Sequence, residues 1–378
     1  MDFPVPSQIE AVLLILVAIG WIFQLWFLLR RVRPFAFYKE PINQPSFEEP
    51  VSIIICAKNE AENLRNFLPA ILEQEYPEFE VVVVNDASED DSDMVLAQLK
   101  AQYPQLYYTS IPKDRKFSHG KKLALTLGVK AARFEYLLMT DADCQPAGKQ
   151  WLSSMAQGFA GSGKEIVLGF GAYEKRKGFV NKLIRYDAFF TAIQYFGFAL
   201  SGKPYMGVGR NLAYTKKLFT ENNGLKRHAH ILSGDDDLFI QQVASKKNCS
   251  VVTSLSSHTV SLPSCSFKHW KHQKSRHLTT SKLYKPAIKI ELALEPLSRQ
   301  LFLFSSVFLI FFNTFASIAI CLYLIRLLIL LMYWARTAAI LNQGRIYWAV
   351  TYMDWLHPWL LLMAKVGTLN RRNNKQWK

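Results

Sequence analysis

The sequence predicts an α/β domain on a mainly parallel sheet, with transmembrane helices at both ends of the chain. Three observations predict this. Apolar residues crowd into the first thirty positions and again beyond position 300. Between residues 51 and 140, short β-branched runs alternate with stretches of helical spacing. Each of those runs ends in a small polar cluster.

The first apolar segment, 11–29, reads AVLLILVAIGWIFQLWFLL, with Gln24 as its one polar side chain. That length suffices to cross a hydrocarbon core. A signal peptide would begin basic and end at small residues, whereas this segment follows Asp2 and Glu10 and is followed by Arg30, Arg31 and Arg33. The positive-inside rule then places residue 30 onward in the cytosol.

A second apolar block runs from about 300 to 335, broken by Asn313 and Arg326. As one helix it would extend roughly 54 Å, well beyond a core of roughly 30 Å. A two-span hairpin with Arg299 and Arg336 both cytosolic is expected, although no clear polar turn separates the spans. The stretch 346–364 contains Asp354, His357 and Pro358 among tryptophans and leucines. Charge at membrane depth is expensive, so an interfacial or re-entrant helix is expected there. The expected organisation is an anchor over 1–33, an α/β domain over 50–285 and a membrane region over 286–378. Within the last, spans lie in 299–336 and the interfacial segment in 345–366.

The chain has 378 residues and a formal net charge of +15. Such an excess suits nucleic acid or the anionic face of a membrane. Basic residues flank the apolar segments (Arg30, Arg31 and Arg33, then Lys365, Arg371 and Arg372), and zinc-finger spacing is absent, so the membrane reading is taken. The five cysteines include no C-x-x-C pair and read as reduced residues of a cytosolic domain.

In the middle of the chain, VSIIIC at 51–56 reads as a buried parallel strand. Leu64, Phe67, Leu68, Ile71 and Leu72 then follow helical spacing. A second strand, VVVV at 81–84, ends in N-D-A-S. Helices are expected over 92–101 and 119–132, and a third strand, YLLMT at 136–140, ends in D-A-D. Ligands of open parallel sheets bind beyond the carboxyl ends of the strands. Ala57–Glu60, Asn85–Asp86 and Asp141–Asp143 are therefore expected to share one crevice.

Two carboxylates at Asp141 and Asp143 repel one another when buried, unless a hard divalent cation shared with substrate phosphates compensates them. Solvated turns also carry such pairs. Asp86 suits either a helix cap or a nucleobase and ribose acceptor. Lys121 opens a helix after Gly120, where an anion is favoured, although a solvated basic helix start has the same composition. The acids Asp235, Asp236 and Asp237 follow Gly234 and suit either helix capping or a general base. The run from Trp270 to His277 mixes an aromatic, an amide and cations, and is ambiguous alone.

Taken together, in this order, these motifs resemble glycosyltransferase family 2, which includes cellulose, hyaluronan and poly-N-acetylglucosamine synthases. The resemblance covers roughly residues 50–285. It implies a GT-A nucleotide-binding domain. Ala57, Asn59 and Glu60 of A-K-N-E then open the nucleotide-sugar site, and Asp86 of N-D-A-S binds the base. Lys121 of G-K-K-L-A-L lies near the diphosphate. Asp143 of D-A-D is a direct ligand of Mg²⁺ or Mn²⁺, and Asp141 sits beside it. Gly209, Arg210 and Asn211 of G-V-G-R-N belong to the acceptor side. Asp236 is the first choice for the catalytic base and Asp235 the second. Gln273 and Arg276 of Q-K-S-R-H resemble the Q-x-x-R-W signature of processive synthases and contact the diphosphate. His277 stands where that signature has tryptophan, beside the acceptor.

The resemblance implies an inverting transfer from a nucleotide-diphosphate sugar, with UDP the favoured nucleotide, to a lipid-linked or glycan acceptor. The enzyme would be a multi-pass protein of the cell inner membrane with its catalytic domain cytosolic. Membrane lipids are the expected surroundings, an oligomer or partner protein is compatible, and no nucleic acid is expected. The alternatives are a processive polysaccharide synthase of the same family, or a non-catalytic basic membrane protein that binds anionic lipid or nucleic acid.

Overall fold

The computed structural model describes residues 6–41, 45–113, 120–229, 231, 233–264 and 266–369. Ser118, His119, Cys265, Arg371 and Arg372 lie outside the described residues.

Two helices come first, α1 (Gln8–Phe27) and α2 (Arg33–Ala36), joined by a π-helical turn over Leu28–Val32. The sheet domain follows. A seven-stranded sheet has the order β3 (Leu106–Ile111), β2 (Phe79–Asp86), β1 (Val51–Ala57), β4 (Tyr136–Asp141), β8 (Leu212–Thr215), β6 (Ile166–Leu168) and β9 (Cys249–Val251). The first four strands are mutually parallel, and β8 pairs antiparallel with both β4 and β6. A smaller sheet orders β5 (Cys144–Pro146), β10 (Thr259–Ser261) and β7 (Gly171–Tyr173).

The central strands are apolar throughout because both faces are covered. Ile53 and Ile55 pack with Leu64 and Leu68 of α3 (Ala61–Leu72) and Leu96 of α4 (Ser92–Gln102). Ile54 and Cys56 face the other way, toward Leu125 and Val129 of α5 (Lys121–Ala131). The alternation follows from the two-residue period of a strand. The parallel register sets Cys56 beside Asp141 and Ala57 beside Asn85, so the polar ends of these three strands lie side by side. The remaining helices of this part are α6 (Trp151–Ala156), α7 (Phe179–Leu200), α8 (Lys216–Glu221), α9 (Asp237–Val243) and α10 (Phe267–Leu278).

Three helices close the chain: α11 (Pro286–Phe311), α12 (Ala316–Ile340) and α13 (Val350–Leu369). The segments Gln8–Ala36, Pro286–Phe311 and Ala316–Ile340 are long and apolar enough to cross a membrane. On α1, a capping box at Ser7 and Glu10 starts the helix, and Ile9, Val12, Ile15, Ile19 and Ile22 are left exposed. Such a surface fits lipid rather than water. The opposite face meets α11 so closely that a Cβ on Gly20 would stand 2.9 Å from Phe302.

The turn that the sequence lacked lies between α11 and α12, where Asn313 takes a left-handed φ of 63°. Asparagine tolerates that conformation, so one residue reverses the chain without a polar loop.

Three sequence expectations change. Arg299 was expected at the cytosolic end of a span, but α11 begins at Pro286, so Arg299 lies inside the helix and is buried. It pairs with Glu295 at 2.9 Å and lies 3.5 Å from Asp354. Arg31 was expected at a lipid surface, but it is 2% exposed and bonded to Glu291 through Nε at 2.8 Å and to Ser201 at 2.7 Å. The stretch 346–364 was expected on the interface, yet its polar residues turn inward. Asp354 accepts from Arg326 at 2.5 Å, Arg326 donates to Gln24 at 2.8 Å, and His357 bonds Asp187 of α7 at 3.0 Å. A buried charge is tolerable when paired and hydrogen-bonded in this way.

The N-terminal helical segment is fitted tightly to the sheet domain. A Cβ on Gly197 of α7 would fall 1.8 Å from the carbonyl oxygen of Arg31 in the π-helical turn.

Candidate active site

The adjoining strand ends open into a cavity of about 1360 Å³ that runs from the sheet to α11 and α13. Asp141 ends β4, and Asp143 stands two residues on, before β5. Their ligand atoms and Cys144 Sγ lie within 4.8 Å of one another. Burial first, then the Asp141 charge, raises the Asp143 carboxyl above its usual range, while Arg210 opposes this. Two carboxylates this close suit a hard divalent cation. Cys144 is a poor third ligand because burial pushes its thiol up, keeping it protonated and 3.0 Å from Ser261 Oγ. The residues therefore fit a Mg²⁺ or Mn²⁺ site of two carboxylates, with further positions open to substrate.

Lys121, in the first turn of α5, links this pair to the second group of acids. Its Nζ lies 2.8 Å from Asp141 Oδ1 and 3.2 Å from Asp235 Oδ2. Burial disfavours its charge, but Asp141, Asp235 and Asp236 outweigh burial and keep the ammonium protonated. Asp235 is likewise held ionised by Lys121 against its burial.

The acids at 235–237 divide into distinct roles. Asp237 is occupied by structure: its Oδ2 accepts from Thr280 at 2.5 Å and from Tyr284 at 2.7 Å. Asp236 accepts the Gly209 amide at 2.9 Å on Oδ2 and the Asp237 amide at 2.8 Å on Oδ1. Burial, then its neighbours Asp235 and Asp237, push the Asp236 carboxyl up to about 7. A carboxylate with that proton affinity suits acid–base work near neutral pH.

Several other predicted residues reach the cavity. Glu60, Gly209, Arg210, Gln273, Arg276 and His277 all line it. The Arg210 guanidinium stacks 4.1 Å from the Tyr173 ring and donates to the Ala172 carbonyl at 3.0 Å. Gln273 hydrogen-bonds Tyr173. His277 is open to the cavity, and desolvation by the surrounding walls, then Arg276 and Lys274, lower its imidazole below the usual range.

Other residues are placed differently. Ala57 is fully buried and offers only its backbone. Asn59 takes a φ of 54° and braces the neighbouring strand end, donating its amide to Ser88 and accepting from Glu89. Asp86 is fully buried at the end of β2 and is not among the residues lining the cavity. Asn211, expected on the acceptor side, is instead scaffold. It is fully buried and bonded to Phe170, Ser257 and Trp151.

Sequence reasoning missed Asp187, Lys274 and His357. Lys274 lies 2.7 Å from Asp187, and all three line the cavity. The polar His357 within an apolar stretch was the available signal, but its partner is 170 positions away.

Residues 52–221 match the family model described as glycosyl transferase family 2. That segment is similar to a family 2 glycosyltransferase domain. A poly-beta-1,6-N-acetyl-D-glucosamine synthase of Staphylococcus epidermidis is 32% identical to it over 95 residues, 25% of this chain and 22% of the relative. Glycosyltransferase AglE of Haloferax volcanii is 30% identical over 192 residues, 49% of this chain and 58% of that protein. This chain thus matches between 22% and 58% of the length of these two relatives. Among solved structures, the mannosyltransferase PcManGT of Pyrobaculum calidifontis, in complex with GDP-Man and Mn²⁺, superposes with a TM-score of 0.63. That likeness covers 97% of this chain and 100% of the other at 20% identity, and it establishes a shared GT-A-like fold. The matched segment holds Lys121, Asp141 and Asp143, whereas Asp235 and Asp236 lie beyond it.

Proposed function

We propose that this chain is an inverting, metal-dependent enzyme that moves a sugar from a nucleotide-diphosphate donor to a lipid-linked or glycan acceptor. One observation carries the reading. A single ammonium, Lys121, lies within 3.2 Å of carboxylates from both groups of acids, the Asp141 side and the Asp235 side. A donor diphosphate and an acceptor hydroxyl must meet at such a junction.

In this reading Asp143 and Asp141 hold a Mg²⁺ or Mn²⁺ ion, which supplies positive charge against the diphosphate. Lys121 and Arg276 add charge on the same leaving group. Glu60 belongs to the nucleotide end. Asp236 takes the acceptor proton as the acceptor oxygen attacks the anomeric carbon, with Asp235 second in line. The anomeric carbon–oxygen bond to the nucleotide diphosphate breaks as the new bond forms, so configuration inverts. Gly209 fixes the base through its amide, and His277 stands on the acceptor side. The donor is a UDP-sugar, and the enzyme is a multi-pass protein of the cell inner membrane acting at the cytosolic face.

The test is a metal-dependent donor-cleavage assay on the full chain, with a panel of UDP- and GDP-sugars and membrane lipid extract as acceptor. The expected result is cleavage that needs Mg²⁺ or Mn²⁺ and is lost in Asp143→Ala. If no donor is cleaved with either metal, or the product keeps the donor's anomeric configuration, the reading fails.

A further inference from the structure

The cavity changes character along its length. At the sheet end its wall carries Asp141, Asp143, Asp235 and Asp236. Farther along come Lys274, Lys282 and Lys289. Beyond these the wall on α11 and α13 is mainly apolar, with Leu297, Phe304, Leu362 and Trp359, and Arg299 and Lys365 also line it. Along α11 the step from Lys289 to Phe304 is roughly 22 Å of helix.

Two details bear on what fills this space. Lys274 is already committed to Asp187 at 2.7 Å. Lys282 and Lys289 are exposed and make no ion pair among the described residues. They therefore offer positive charge to a ligand. At its apolar part the cavity reaches the protein surface at α11 and α13. Leu297 of α11 is 64% exposed and Leu362 of α13 is 50% exposed, although both line the cavity. The opening is framed by Trp359, whose Nε1 donates to Gln300 at 3.0 Å and whose ring meets Phe304 at 6.1 Å. Since α11 is long and apolar enough to cross a membrane, acyl chains suit this opening better than water does.

We propose that the acceptor is a phosphate-bearing lipid whose chain enters between α11 and α13. Its phosphate lies beside Lys282 and Lys289, and a hydroxyl of its head group reaches Asp236. This rests on the transfer reading above and deepens it by choosing the lipid over the free glycan. The charge order supports the choice. A soluble glycan has no use for an apolar mouth, and a neutral lipid leaves two lysines without a counter-charge. The chemistry balances as a single displacement. The head-group oxygen bonds to the anomeric carbon, its proton passes to Asp236, and the nucleotide diphosphate departs with the electron pair.

Binding is read by native mass spectrometry on the full chain in a neutral detergent, without donor. The probes are hexadecyl phosphate, hexadecanol and inorganic phosphate. Hexadecyl phosphate is expected to bind about tenfold more tightly than hexadecanol, and inorganic phosphate is expected not to compete. Leu362→Glu, and Lys282→Glu with Lys289→Glu, are each expected to weaken binding about tenfold, while arginine at both lysine positions retains it. Thermal melting of each variant separates lost binding from lost folding. Equal binding of hexadecanol, full competition by inorganic phosphate, or binding indifferent to all these variants would overturn the proposal. Because no donor is present, such a failure is distinct from absent donor cleavage, which would strike the transfer reading itself.

Discussion

The backbone amide of Gly209 donates to Asp236 Oδ2 across 2.9 Å. This bond ties the loop before β8 to the acid run before α9. It leaves lone pairs on the carboxylate for an incoming hydroxyl, since each carboxylate oxygen accepts more than one hydrogen bond. Asp236→Asn keeps the volume but cannot take a proton. Transfer is expected to fall by roughly 10²–10⁴-fold. Mn²⁺ binding, followed by titration calorimetry, is expected to be unchanged.

The raised Asp236 carboxyl sets a pH dependence. Burial and two neighbouring carboxylates push it up to about 7, and only the ionised form accepts a proton. Transfer is therefore expected to rise with pH through about 7 and then level off. A cation at Asp143 lowers the midpoint without changing this sign. A kcat/KM profile over pH, compared with that of Asp236→Asn, checks it. A rate that falls through this window would exclude Asp236 as the base.

Lys121→Met removes the one cation shared by Asp141 and Asp235. Both acids are then left facing each other in a partly closed site. The loss is expected to be at most about 3 kcal/mol, because the cavity admits solvent. Added Mg²⁺ is expected to raise the melting temperature of this variant more than that of the wild type, since the ion supplies the missing charge. Equal metal-induced shifts would count against a cation site at Asp141 and Asp143.

Asp354 serves two arginines, Arg326 at 2.5 Å and Arg299 at 3.5 Å. Asp354→Asn leaves that cluster with an uncompensated buried charge. A loss of roughly 3–5 kcal/mol is expected by analogy with broken buried pairs. Thermal unfolding in detergent measures it, and Asp354→Asn combined with Arg326→Gln is expected to be milder than the single change.

Much of the sheet was legible in the sequence because its signals are local. β-branched runs ending in polar residues mark β1, β2 and β4, and the parallel register then sets Asp141 beside Cys56. The membrane-side polar groups were illegible for the opposite reason. Asp354 and His357 look out of place beside their chain neighbours, and only Arg326 and Asp187, distant in sequence, explain them. Asn313 stood out as a break but not as the turn, because a reversal made by one left-handed residue leaves no run of polar side chains. The sorting of Asp236 from Asp237 depended on Thr280 and Tyr284, which no spacing rule connects to the acid run. Asn211 was misassigned because a buried amide that holds three groups of the scaffold looks, in sequence, like one offered to a sugar.

Gly197→Ala is expected to separate folding of the sheet domain from its seating on the anchor, because the added methyl has no room beside Arg31. Limited proteolysis between residues 33 and 50 is expected to accelerate, while metal binding survives. The same contact bears on how the enzyme is used. A catalytic head on a slack tether could sample many heights above a bilayer and serve acceptors of many lengths. Here the helix backbone and the domain touch without a side chain between them, so the cleft keeps a fixed height relative to α1. Under the proposed function the acceptor must present its reactive oxygen at that height, and α1 would then act as a ruler.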